Sequence, residues 1–365
     1  MAMTAKKLYA SLFCLTLLLF APVMVGAKEA PSSIITVTTS PDSPFCTTLE
    51  IKQPAWLAKR ILRSRSVAAK VQPELPRAQI TIGDREFVFD SYSQLFEPAR
   101  QTQLVMSNAV RKQLEKWVYL AENAHYGQPL DWAKVKDDFA RMDFATVTDL
   151  ETGESFHVQR RAGSNHADVQ PLTSEDTATM KRVYDGKWSW KRRAILLTID
   201  GHTYAASMHG MPHGAGAIAG NNFPGHFCIH FQGSSTHRRN EPDPSHSLMI
   251  LKASGKLKQE LMQATPMRVV DIFLTSLHEH DRSTQLMTTA NDFQMPFPSE
   301  ELETFKRESE EWQNRNPDLL VATIPVELSC KWVDRREQKN TWTFRLERVS
   351  PGSRWKITNI SLDEK

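Results

Sequence analysis

The stretch Gly225-His226-Phe227-Cys228-Ile229-His230-Phe231 places three ligand-type side chains at alternate positions among apolar ones. Side chains two apart on a β-strand share a face, so as a strand this segment turns His226, Cys228 and His230 one way and Phe227, Ile229 and Phe231 toward a core. The pattern predicts a β-rich domain whose wall carries a thiol between two imidazoles. Such a trio suits either a nucleophile with its acid/base partners or a metal site.

The neighbouring segments support a β-rich setting. Residues 145–150 and 155–160 flank the turn Glu151-Thr152-Gly153-Glu154, Thr173 with Asp176 opens a helix that stops near Gly186, and residues 195–199 are apolar without alternation, as in a strand buried on both faces. Residues 145–264 therefore read as a central β-rich domain, and seven of the twelve histidines lie between positions 202 and 246. Ahead of it, residues 28–76 are rich in Ser, Thr and Pro with a basic patch at Lys59, Arg60, Arg63 and Arg65, and read as an extended lead-in of limited order. Residues 77–144 read as a small α+β accessory region, with a hairpin centred on Gly83-Asp84 and helical spacing over 102–122.

Behind the central domain, residues 265–365 open with Pro266 as the first residue of a helix capped by Thr265. A second helix is expected at Leu302, Phe305 and Trp312. Clean alternation then follows in Ile324, Val326, Leu328, Cys330 and Trp332, in Trp342, Phe344 and Leu346, and in Trp355 and Ile357. The fold class expected is α+β and multidomain.

Lys6 and Lys7 precede an apolar run over 8–25, and Val25-Gly26-Ala27 offers a small-residue cleavage site, so residues 1–27 read as a secretory signal peptide. The expected location is secreted or in the cell envelope, outside the cytoplasmic membrane, with no membrane span after removal of the signal. Secretion removes nucleic acid as a partner. The net charge of +3 is spread along the chain apart from Lys187-Trp188-Ser189-Trp190-Lys191-Arg192-Arg193, which suits either an anionic polymer or a solvated strand edge. With Cys14 in the signal, three cysteines remain. Cys46 and Cys330 are candidates to bridge, leaving Cys228 as the free thiol.

The segment Ser207-Met208-His209-Gly210-Met211-Pro212-His213-Gly214, a loop rich in Gly, Ala and Asn, and then His226-Phe227-Cys228-Ile229 resemble the active-site signature of the L,D-transpeptidases (YkuD-like). In that family an upstream His-Gly precedes Ser-His-Gly-Cys-hydrophobic-Arg. Here Gly225 stands in place of the Ser, Phe227 of the Gly and His230 of the Arg, and the resemblance covers residues 207–231. It implies that Cys228 attacks a peptide carbonyl, His209 is the base, the Gly210 carbonyl orients that ring and His226 lines the acyl site. Candidates for substrate binding are His230, His213, Asn222, Trp190 and Arg192. The implied partner is peptidoglycan or another cell-wall polymer, with no cofactor. The C-terminal pattern resembles an NTF2-like α+β cone, which implies a structural or ligand-pocket module.

A base is needed because a free thiol of pKa ~8.5 is only about 3% thiolate at pH 7. As a metal centre the same region gives His166, Asp168, His226, Cys228 and His230 as zinc ligands, with His209, His213, His237 or His246 to complete a tetrahedron. The chemistry would then be that of a zinc-dependent cell-wall peptidase. A non-catalytic wall-binding or assembly protein with a degenerate site is the third reading, and the sequence leaves all three open.

Overall fold

The computed structural model describes residues 33–52, 54, 56–236, 241–308, 316 and 318–364. The signal-peptide reading, His237 and Trp312 fall outside the described residues. The chain is α+β, with three sheets of which one closes into a six-stranded barrel.

The first sheet is built from β1 (Ser33–Thr38), β2 (Cys46–Ile51), β3 (Arg65–Ala68), β4 (Ala78–Ile82), β5 (Arg85–Phe89), β6 (Leu95–Glu97) and β7 (Thr102–Val105), in the order β2-β1-β4-β5-β6-β7-β3. A short helix α1 (Trp56–Leu62) and a long one, α2 (Asn108–His125), close its core. Ser107 caps α2, and Val110, Leu114, Val118 and Ala121 form its buried stripe.

The expected lead-in over 28–76 is thus replaced, from Ser33 onward, by ordered strands, and position 76 divides a single sheet. The reason is visible in β1, where Ile35 and Val37 are buried and Thr36 and Thr38 face outward. β-Branched threonines suit a half-buried strand although their polarity resembles that of a linker. Helical spacing from 102 also begins too early, since Thr102–Val105 pairs with both β6 and β3 before Ser107 starts the helix.

The barrel comprises β8 (Phe144–Asp149), β9 (Ser155–Ala162), β10 (Ala167–Pro171), β11 (Arg192–Ile199), β12 (His202–His209) and β13 (Phe227–His230), ordered β10-β13-β12-β11-β8-β9. Its core holds Val147, Phe156, Val158, Ala167, Val169, Ile195, Leu197, Ala206, Met208, Phe227 and Ile229, all fully buried. Side chains fill the interior, as expected of a small barrel. α3 (Trp132–Asp138) and α4 (Ser174–Val183) pack against this core, and α4 opens with the expected capping box of Thr173 and Asp176. Ala194, Leu196 and Ala205 belong instead to a second core shared with α5 (Pro244–Ala253), so β11 is covered on both faces.

That second core continues through α6 (Leu257–Gln263), α7 (Pro266–Glu279) and α8 (Arg282–Thr288) to an antiparallel meander of β14 (Leu302–Arg307), β15 (Val321–Trp332), β16 (Gln338–Glu347) and β17 (Lys356–Glu364). Thr265 caps α7 as expected, with its side chain accepting from the Arg268 N–H. The helix expected at Leu302 and Phe305 is the strand β14. A bulge between Leu302 and Thr304 adds one residue, which lets side chains three apart point the same way and imitate a helical repeat. The expected bridge between Cys46 and Cys330 is not formed. Cys46 is exposed on the first sheet, Cys330 is buried in the C-terminal core, and all three described cysteines are free. No helix among the described residues is long and apolar enough to cross a membrane.

Candidate active site

The outer wall of the barrel, where β10, β13 and β12 run side by side, carries the polar residues that the inner face excludes. Phe227 and Ile229 point into the barrel core, which leaves Cys228 and His230 on the opposite face. Asp168 pairs directly across from Cys228, and Ser207 across from His230. α5 packs on β11 and β12 at the edge of this wall and brings His246, whose Nδ1 lies 2.8 Å from the Ser207 hydroxyl.

The ring next to the sulfur is His213. Its Nε2 is 3.4 Å from Cys228 Sγ, and its Nδ1 is 3.1 Å from the Met211 carbonyl. A carbonyl only accepts, so Nδ1 carries the proton and Nε2 presents a lone pair to the thiol. His213 reaches this place because the loop after β12 folds back on β13. His213 and His226 exchange two backbone hydrogen bonds of 2.9 Å, and Cys228 lies two residues further along.

His209, expected as the base, is instead a buried neighbour of the pair, with a donor atom within 4.8 Å of both His213 and Cys228. The Met211 N–H donates to its Nδ1 at 3.3 Å. Burial first, and then the charges of His213 and Arg192, push its pKa down to about 3, which makes it a poor base. Gly210, expected to orient the ring through its carbonyl, is held through its N–H instead. Its N–H donates to the Ser189 carbonyl at 2.8 Å, and a Cβ there would strike the Tyr184 ring at 2.3 Å. The orienting role belongs to Met211.

Burial, followed by the Asp168 charge with Oδ1 at 3.8 Å, pushes the Cys228 thiol well above its ordinary range. Burial also lowers His213. At rest the pair is therefore a neutral thiol beside a neutral imidazole, and not a stored thiolate–imidazolium pair. A nucleophilic attack by this sulfur would need its proton to pass to His213 in the same step.

The other expected residues divide. Trp190 is 51% exposed, with its ring 4.7 Å from His209 and 5.5 Å from His213, so it lies beside both rings at the surface, while Cys228 itself is buried. His226 lies against His213 at 4.4 Å, with its Nδ1 3.3 Å from the Ala215 carbonyl, and is in neither set of convergent donors. His230, expected at the substrate, is buried in a stack between His166 at 4.3 Å and His246 at 3.8 Å. The Arg192 guanidinium is held by Asp243 at 2.9 Å with Glu279 beyond it at 3.9 Å, so it offers no open fork to a substrate carboxylate. Arg193 is likewise bound bidentately by Asp149, which commits both arginines of the basic cluster to internal pairing. Asn222 is exposed with φ 57°, and it is Asn221 that binds, donating to the Pro171 carbonyl at 2.8 Å.

Gln170 was not among the expected residues. Its side-chain amide donates to the Gly225 carbonyl at 2.6 Å and accepts from the N–H groups of Ala217 and Ile218, tying the glycine-rich loop to β10. The signal was available, since Gln170 stands two residues beyond Asp168 on a strand and shares its face. Gly225 is explained by space. It has φ 125°, and a Cβ would lie 2.5 Å from the His213 carbonyl oxygen, so the serine of the resembled family does not fit here.

Two donor sets converge on Cys228 within 4.8 Å: His166 with His230, and His209 with His213. Of the expected zinc set, His166, Cys228 and His230 come together, Asp168 lies 3.2 Å from His166 Nε2, and His226 turns away toward the loop. No family model matches the chain, and no curated protein matches it in sequence.

Proposed function

We propose that this protein performs cysteine-based acyl transfer or hydrolysis on peptides of the cell wall, outside the cytoplasmic membrane. The observation that carries this reading is the chain Cys228 Sγ, His213 Nε2, His213 Nδ1, Met211 carbonyl, at 3.4 and 3.1 Å. In it a base sits within reach of the nucleophile and is itself oriented by a third group. His213 takes the thiol proton as Sγ adds to the substrate carbonyl and returns it to the departing amine, leaving a thioester. An amine or water then releases the acyl group.

Support for a peptide of the wall comes from the likeness of residues 207–231 to the L,D-transpeptidases and from the signal-like N-terminus. Trp190, more than half exposed beside both imidazoles, supplies an apolar platform at the entrance. The helices and meander after residue 265 fit a supporting module of the NTF2-like kind.

The test is intact-mass analysis after incubation with peptidoglycan stem peptides. An acyl adduct on Cys228, labile to hydroxylamine and missing in Cys228→Ser and His213→Ala, is the expected result. Adducts on other residues, or turnover that survives Cys228→Ser, would overturn the proposal.

A further inference from the structure

We infer that Cys228, His209 and His213 form a binding site for one zinc ion that blocks the sulfur in a resting form of the protein. Binding of the ion stands on its own geometry; the block rests on the acyl-transfer reading. Tetrahedral zinc with ligand bonds of ~2.0 to 2.3 Å sets its donors ~3.3 to 3.8 Å apart along each edge. Cys228 Sγ and His213 Nε2 already lie 3.4 Å apart, and the His209 donor is within 4.8 Å of both.

Ring orientation chooses between the two sets that share the sulfur. Imidazole lone pairs lie in the ring plane, so nearly parallel stacked rings direct them along separate parallel planes, while the planes of tilted rings intersect, as a shared ion requires. His166 and His230 are stacked at 15° and His230 and His246 at 6°. His209 and His213 are tilted by 43°, with centroids 5.2 Å apart.

The Met211 backbone touches both rings of this set. Its carbonyl fixes the His213 tautomer that leaves Nε2 as the ligand atom. Its N–H makes only a 3.3 Å bond to His209, and that bond gives way as the ring turns to the ion. On binding, the S–H bond is replaced by S–Zn and the proton leaves to solvent. These three residues leave a fourth position for water or another donor, and the nearest carboxylate, Asp168 Oδ1, lies 3.8 Å from the sulfur. A thiolate with two imidazoles selects a soft or borderline divalent ion over magnesium or calcium.

The experiment uses the full secreted chain, stripped with chelator and titrated with zinc against a chromophoric competitor, then repeated with cobalt. The expected result is one equivalent bound, a sulfur-to-cobalt charge-transfer band, and loss of both in Cys228→Ala and His213→Ala, while His230→Asn retains them. His213 is a half-buried loop residue, so its variant keeps the test open if the cysteine variant misfolds. Zinc at one equivalent should also suppress acyl-adduct formation at least tenfold, with recovery on chelation and no effect of magnesium.

Absence of stoichiometric binding, a cobalt spectrum without the sulfur band, or loss of binding only in His230→Asn would overturn the site. Adduct formation that rises with zinc would overturn the block. Zinc bound at Cys228 in a chain whose metal-free form never acylates would instead remove the acyl-transfer reading and leave the ion site standing.

Discussion

His125 and the four buried imidazoles near Cys228, His166, His209, His230 and His246, are withdrawn from water to a similar degree, yet their surroundings differ in kind. At the end of α2, His125 has Nε2 3.1 Å from the Thr39 hydroxyl and Nδ1 3.0 Å from the Thr47 hydroxyl. Hydroxyls donate or accept as required, so either neutral tautomer is satisfied and the ring is fixed. On the barrel wall the rings meet one another, a thiol and a carboxylate, in stacks of 3.8 and 4.3 Å. The first arrangement joins strands to a helix. The second gathers lone pairs around one sulfur, a costly grouping that packing alone does not require.

The largest effect that would test this contrast is on reactivity. Cys228→Ser should lower turnover on the order of 10³-fold or more while leaving circular dichroism and the unfolding midpoint near those of the parent, as measured by stem-peptide assay and thermal melt. His125→Gln should do the opposite, sparing iodoacetamide labelling of Cys228 and costing about 1 to 2 kcal/mol in urea denaturation.

Gly225→Ser should show both effects. Its positive φ and the 2.5 Å clash with the His213 carbonyl cost about 1 to 3 kcal/mol, and displacement of His213 should slow adduct formation although Cys228 is intact.

Acid separates the regions less sharply. Burial pushes His125 down to about 4, so the unfolded chain takes up a proton below its ordinary value of 6.5 while the folded chain does not. Stability from this group is complete above pH 6.5 and is lost as pH falls to about 4, amounting to about 3 kcal/mol. Urea midpoints should therefore fall between pH 7 and 5, and His125→Gln should flatten that slope. The buried rings His209 and His246, also depressed, should keep part of it. Smallest of all, Trp190→Ala should leave stability within about 0.5 kcal/mol and raise KM more than it lowers kcat.

What the sequence revealed follows from the range of its signals. The two faces of β13 were legible because a strand repeats every second residue, and Phe227 and Ile229 do lie in the core with Cys228 outside. The Thr173 and Thr265 caps were legible because a cap is local. The identity of the ring beside the sulfur was not, because it depends on how a long loop returns to pair His213 with His226. Two His-Gly pairs four residues apart look alike in sequence, and only the fold distinguishes a buried ring from one with a lone pair on the thiol. β1 was hidden by its threonines, and β14 by a bulge that mimics a helical repeat.

Closure of the barrel has a further consequence for how a chain-like substrate is held. Every strand from β8 to β13 has two hydrogen-bonded neighbours, so an incoming extended peptide finds no backbone rim there on which to zip itself in place. If the proposed peptide substrate binds at this wall, its recognition would rest on side chains and the glycine-rich loop, and substituents would count for more than backbone.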